Sequence, residues 1–155
     1  MTESWYLAEV HPNREAAVAF TMRCLDIEPF IPLMLQTERI SMRTKQRELS
    51  AKPVIMGYVF FRTAPDFLSS VNDIRDLKGI FQDGFGNYVT IPPRQMVPFI
   101  ANNEAWVTEA RERHRRGRKI NAGPKPKFRK MTEEALKEWI ARYHGPESDM
   151  MQEAA

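Results

Sequence analysis

Apolar positions group along the chain in runs and periods that predict most of its elements. "WYLAEV" (Trp5–Val10) is aromatic-led and β-prone, and predicts an opening strand. His11, Pro12 and Asn13 interrupt it, with Pro12 suited to a first helical turn. In "REAAVAFTMRCL", Ala17, Phe20 and Cys24 recur at helical spacing, and Val18 and Leu25 widen that stripe into the apolar face of a helix. "PFIPLMLQTERI" reads as a second extended stretch, which Pro29 and Pro32 assign to a sheet edge or a strand entrance. "SMRTKQRELSAK" (41–52) is polar and basic, and reads as a long solvated hairpin loop. "VIMGYVFF" (54–61) is continuously apolar, the pattern of a central strand covered on both faces.

"PDFLSSVNDIRDL" predicts a helix opening at Pro65, with Phe67, Leu68, Val71 and Ile74 on its apolar face. "GIFQ" and "YVTI" read as two short strands joined by the Gly-rich turn "DGFGN". Helix starts follow at Pro93 or Pro98. Because Pro98 lacks an N–H, a break or kink is expected there before a helix running towards Arg116. Residues 117–130 read as a linker, broken by Gly117, Gly123, Pro124 and Pro126. A last helix opens with Thr132 as its cap, Glu133 and Glu134 in its first turn and Met131 stapled on Leu136. Its stripe is Leu136, Trp139, Ile140 and Tyr143, and Gly145–Pro146 ends it.

The fold class expected is α+β, an antiparallel β-sheet flanked by helices in the order β-α-β-β-α-β-β-α, followed by a basic linker and a C-terminal amphipathic helix. The chain divides into a domain over 1–103, a helix extension and basic linker over 104–130, the amphipathic helix over 131–146, and a disordered tail over 147–155.

Charge alters this picture in one place. Residues 111–130 hold ten Lys/Arg and one Glu, a charge of +9, leaving 13 basic and 19 acidic residues elsewhere, or −6. The positive excess therefore belongs to one segment, and upstream DNA or nascent RNA is the partner it suits, with a linker held to an acidic protein surface as the alternative. The candidate contacts there are Arg111, Arg113, Arg115, Arg116, Arg118, Lys119, Lys125, Lys127, Arg129 and Lys130. Phe128 is the one aromatic among them, which argues for phosphate contact rather than base stacking. Arg39, Arg43, Lys45, Arg47 and Lys52 in the hairpin are a second basic group, with an ordinary solvated loop as the alternative reading.

Catalysis is not expected. His11, His114 and His144 are far apart and lack metal-ligand spacing, and Cys24, the single cysteine, reads as a buried inert thiol. "GFG" at 84–86 lacks the third glycine and following helix of a nucleotide-binding fingerprint. No metal or cofactor is implied. One cysteine, no signal-peptide pattern and no membrane-spanning run give a cytoplasmic expectation.

Four segments in order resemble the N-terminal (NGN) domain of the NusG family of transcription elongation factors. "SWYLAEV" looks like its opening strand, "FIPL" like its strand-entrance Pro motif, and "KPVIMGYVFF" like its signature run into the central strand. "DLKGIFQDGFGNYVTIPPRQM" matches the later strand, turn and Pro before a helix. The opening and hairpin resemble the RfaH branch at least as well as housekeeping NusG. Met56 departs from the signature, where Pro is usual. The KOW module that normally follows is not recognisable, so its partners, Rho and a ribosomal protein, are not implied.

The resemblance implies a factor that binds elongating RNA polymerase and promotes processive elongation or antitermination. It implies that the clamp helices of the largest subunit dock on Trp5, Tyr6, Ile55, Tyr58 and Phe60, with Tyr58 exposed for that role. It implies that the gate loop of the second-largest subunit meets Ser69, Ser70 and Asn72, although the His of the RfaH-branch motif is absent there. Alternation sends Tyr58 and Phe60 to one face and Val59 and Phe61 to the other, so at most one of these pairs lines a given pocket. The alternative function is a stand-alone nucleic-acid-binding protein on the same scaffold, with Tyr58 and its neighbours as plain core.

Overall fold

A computed structural model of the chain describes residues 2–44, 46–120 and 132–142. The chain runs β1 (Ser4–Val10), α1 (Glu15–Cys24), β2 (Glu28–Phe30), β3 (Leu33–Arg39), β4 (Arg47–Pro53), β5 (Tyr58–Thr63) and a 3-10 turn (Pro65–Phe67). It continues through α2 (Leu68–Asn72), β6 (Leu77–Ile80), α3 (Pro93–Arg115) and α4 (Glu133–Arg142). The α+β expectation holds. A four-stranded sheet has the order β2-β5-β1-β6, with every neighbour antiparallel, and β3–β4 form a separate two-stranded ribbon.

The pleat sorts the core into layers. On one face Tyr6, Ala8, Val10, Val59 and Phe61 meet Val18 and Met22 of α1 and Leu68 and Val71 of α2. On the other, Trp5, Leu7, Tyr58 and Phe60 meet Met96 and Phe99 of α3 and Leu136 and Ile140 of α4. A third cluster packs Met34 and Leu35 of the ribbon on Trp106, Val107 and Ala110 in the C-terminal half of α3. One long helix thus spans two cores. Asn103, buried in that helix, fixes the ribbon's start: its Oδ1 accepts the Leu33 N–H at 3.1 Å and its Nδ2 donates to the Leu33 carbonyl at 2.9 Å.

β5 is central, with β1 on one side and β2 on the other, and both its faces are covered. Its start lies later than the apolar run suggests. Val54–Gly57 form bends and a turn, and Gly57 has φ +86°, a left-handed conformation that glycine adopts without a Cβ clash. Pro29 lies on the edge strand β2, as expected, but residues 31 and 32 separate that strand from β3.

Several expectations are corrected. The second half of the polar stretch 41–52 is strand, because β4 pairs with β3 from Leu33↔Pro53 to Arg39↔Arg47. One face of this ribbon packs on α3, so it needs few apolar residues. In α1 the buried positions are Glu15, Val18, Ala19 and Met22, which turns Phe20, Leu25 and Cys24 outward. Cys24 is exposed, not a core thiol. The 79–91 hairpin reduces to β6 and one bridge, Gln82↔Tyr88. Phe67 is exposed, and Leu68, Val71 and Ile74 make the buried side of the α2 region.

α3 continues through Pro98 without a break. The lost donor would have paired with the carbonyl of exposed Arg94 near the helix start, and buried Met96, Phe99 and Trp106 hold the helix on either side. The expected boundary at 103/104 falls inside this helix. Thr132 caps α4 as expected, its Oγ1 accepting the Ala135 N–H at 3.2 Å. Met131, Tyr143, the Gly145–Pro146 stop and the 147–155 tail lie outside the described residues. No helix among the described residues is long and apolar enough to cross a membrane.

Candidate functional site

The residues expected to dock a partner do not share one surface. Trp5, Tyr58 and Phe60 lie on the α3/α4 face with half-buried Ile55 packed against them, whereas Tyr6 faces the opposite layer and stacks on Phe61 at 5.5 Å. Nor is the set exposed. Tyr58 is 3% accessible and Phe60 2%. The cover is α4. Trp139 stacks on Phe60 at 6.3 Å with 12° between ring planes, and meets Phe99 edge-on at 5.2 Å. Phe30 extends the cluster, edge-on to Phe99 at 5.5 Å. Leu136 and Ile140 flank Trp139 and are buried. The C-terminal stripe and the signature strand are therefore each other's partners here.

Glu15 and Gly57 set the entry of β5. Glu15 opens α1, is buried, and its Oε1 accepts the Gly57 N–H at 2.7 Å. The Gly57 carbonyl accepts the Val10 N–H at 2.8 Å. Tyr58 thus leaves a fixed turn. Neither Glu15 nor Asn103 stood out in the sequence, because a charged or amide side chain gives no periodic signal when its partner is distant backbone.

Ser69, Ser70 and Asn72 are exposed on the outer side of α2, away from buried Leu68 and Val71. Asn72 Nδ2 donates to Tyr88 Oη at 3.0 Å, bringing the Gly-rich turn against α2. In that turn Asp83 Oδ1 accepts the backbone N–H groups of Asn87 at 2.9 Å and Phe85 at 2.8 Å. Those two bonds, that of Asn87 foremost, hold its carboxyl below the usual carboxylate range.

The basic residues divide. Arg113 pairs with Glu109, and Arg115 and Arg116 share Glu112, so these three are largely answered along their own helix. Arg111 lines a groove of about 590 Å³ with Ala19 and Arg23 of α1 and Phe30 of β2. Arg118 and Lys119 are exposed and form no salt bridge with the described residues. They are carried to the ribbon because buried Ile120 docks beside Met34 and Leu35, and its carbonyl accepts the Thr37 N–H at 3.1 Å. Arg43 and Arg47 are exposed at the ribbon tip, and the backbone register sets Arg39 opposite Arg47. Lys52 pairs with Glu38 at 2.9 Å. Lys45, Lys125, Lys127, Arg129 and Lys130 lie outside the described residues. Among the described residues no group of three or more His, Cys, Asp or Glu could hold a metal ion.

The family model described as "NusG: Transcription termination factor nusG" matches residues 3–100, more than half of the chain. The chain belongs to the NusG family. It is also similar to the structure titled "Domain interaction in Thermotoga maritima NusG", at 20% identity and a TM-score of 0.43, over 64% of this chain and 56% of that one. The chain thus spans little more than half the length of that solved relative. No curated protein matches it. The NusG match covers β1 to the first turns of α3, so α4 and the Ile120 anchor lie beyond it.

Proposed function

We propose that this NusG-family chain binds elongating RNA polymerase and favours processive elongation or antitermination, and that α4 covers its docking face in the conformation described. The observation that carries this reading is the cluster of Trp5 from the opening strand with Tyr58 and Phe60 from the signature run, buried between α3 and the ten-residue helix α4. Aromatic clusters of this kind supply most of the binding energy at interfaces. A helix of ten residues is marginal alone, so α4 is helical because it is docked, and its release costs little more than these contacts. Polymerase clamp helices would take its place.

On the far side, Ser69, Ser70 and Asn72 would meet the second-largest subunit, and bridging both sides would hold the clamp closed. The factor stabilises that closed state only through its preferential affinity for it. Arg118 and Lys119, held beside the ribbon with Arg43 and Arg47, would contact DNA or nascent RNA phosphates. An RfaH-like mode of action and a cytoplasmic location belong to the same proposal.

Native mass spectrometry of the purified chain with core RNA polymerase and with a transcribing complex tests it. A one-to-one complex with increased terminator read-through is expected. Binding to nucleic acid alone, with none to polymerase, would favour the stand-alone nucleic-acid-binding reading.

A further inference from the structure

The turn Asp83–Tyr88 places an aromatic ring almost wholly in water. Phe85 is 92% exposed, the most exposed of the large apolar side chains among the described residues. A ring on a loose loop would be unremarkable, but this one stands on a braced turn. Asp83 Oδ1 accepts the Phe85 and Asn87 N–H groups, the Asp83 N–H donates to the Asn87 carbonyl at 2.8 Å, and the Gly86 N–H donates to the Asp83 carbonyl at 3.2 Å. Gly86 has φ +83°, which admits the tight reversal. Below the tip, the Gln82↔Tyr88 bridge closes the loop and Asn72 ties Tyr88 to α2. The backbone under Phe85 is ordered before any partner arrives, so little ordering entropy is lost on binding.

We propose that Phe85 is an anchor that inserts into an apolar socket with a basic rim on a protein bound across α2 and this turn. Charge favours a protein over nucleic acid. Asp83 is the only charged residue from Phe81 to Pro93, and Asp66 and Asp73 flank α2. The basic residues nearest in sequence, Arg75 and Lys78, lie before the turn, so the charge at the turn itself is negative and suits a basic rim better than phosphates. The basic surface lies elsewhere, on the ribbon and around Arg118 and Lys119. The inference rests on the proposed polymerase reading for the partner's identity, and extends the contact of Ser69, Ser70 and Asn72 by an aromatic residue outside that set.

The test is the affinity of the full chain for a transcribing polymerase complex, comparing wild type with Phe85→Ala, Phe85→Leu and Asp83→Ala. Phe85→Ala weakens binding by about tenfold or more, Phe85→Leu by less, and Asp83→Ala weakens it with the ring still present. Thermal unfolding of Phe85→Ala stays at the wild-type temperature, since the ring is not packed in the fold. Wild-type binding that Phe85→Ala leaves within twofold overturns the anchor but not the polymerase reading. Absence of wild-type binding overturns both. If Phe85→Ala instead weakens binding to a single-stranded oligonucleotide and spares the polymerase, the ring is a base-stacking tip and the protein socket is wrong.

Discussion

Glu15 is 3% exposed, and its Oε1 holds the Gly57 N–H at 2.7 Å just before Tyr58. Replacing it with Ala leaves a buried donor unpaired, and Glu15→Ala should cost about 1–3 kcal/mol of stability. Glu15→Gln keeps an acceptor and should cost less, both read as shifts in the urea midpoint at constant m. Asp83 offers a pH-dependent counterpart. Its folded pKa is lowered from 3.8, so the bonds to Asn87 and Phe85 contribute at all higher pH and are lost as pH falls through the folded value. The Asn87 and Phe85 amide resonances should therefore titrate together with a midpoint below 3.8, and not at the value of a free aspartate. Much at this scale was hidden in the sequence. Periodicity centres the inner face of α1 on Ala17, Phe20 and Cys24, with Val18 at its margin, whereas Val18, Ala19 and Met22 form it together with buried Glu15. Tyr58 and Phe60 were placed on one face by alternation alone, and they are.

Among the elements, α4 has the most conditional stability. Leu136, Trp139 and Ile140 give it one apolar side, which packs on β5 and α3. Leu136→Asp with Ile140→Asp should undock it. Hydrogen exchange would then lose protection across 133–142, while the β1–β5 amides keep theirs. Loss of protection in both regions would mean that α4 is integral to the core rather than a cover. The amphipathic stripe of this helix was legible in sequence, but its destination was not, because an apolar stripe does not name the surface that buries it. The ribbon was illegible for a related reason. β4 is half-buried only at positions such as Leu49, Ser50 and Pro53, so its polar residues resembled a loop.

In the whole molecule, α3 joins the sheet core to the ribbon core, and Ile120 returns the chain from the end of α3 to the ribbon. That path gathers basic residues from two distant segments onto one region, which sequence had left as separate groups. If Arg118 and Lys119 each contact a phosphate, Arg118→Glu with Lys119→Glu should reduce the salt slope of nucleic-acid binding by about 2. An unchanged slope would place the contact elsewhere. Under the proposed reading, the same architecture would set the terms of polymerase binding. While α4 covers Phe60, only the open fraction is competent, and apparent affinity is reduced by that fraction. The most direct measurement is the dissociation constant of the full chain for a transcribing RNA polymerase complex, with wild type beside Leu136→Asp/Ile140→Asp. Covering by α4 predicts that the released variant binds about tenfold tighter or more if a tenth or less of the wild type is open. Equal or weaker binding by the released variant would contradict a docking face beneath α4.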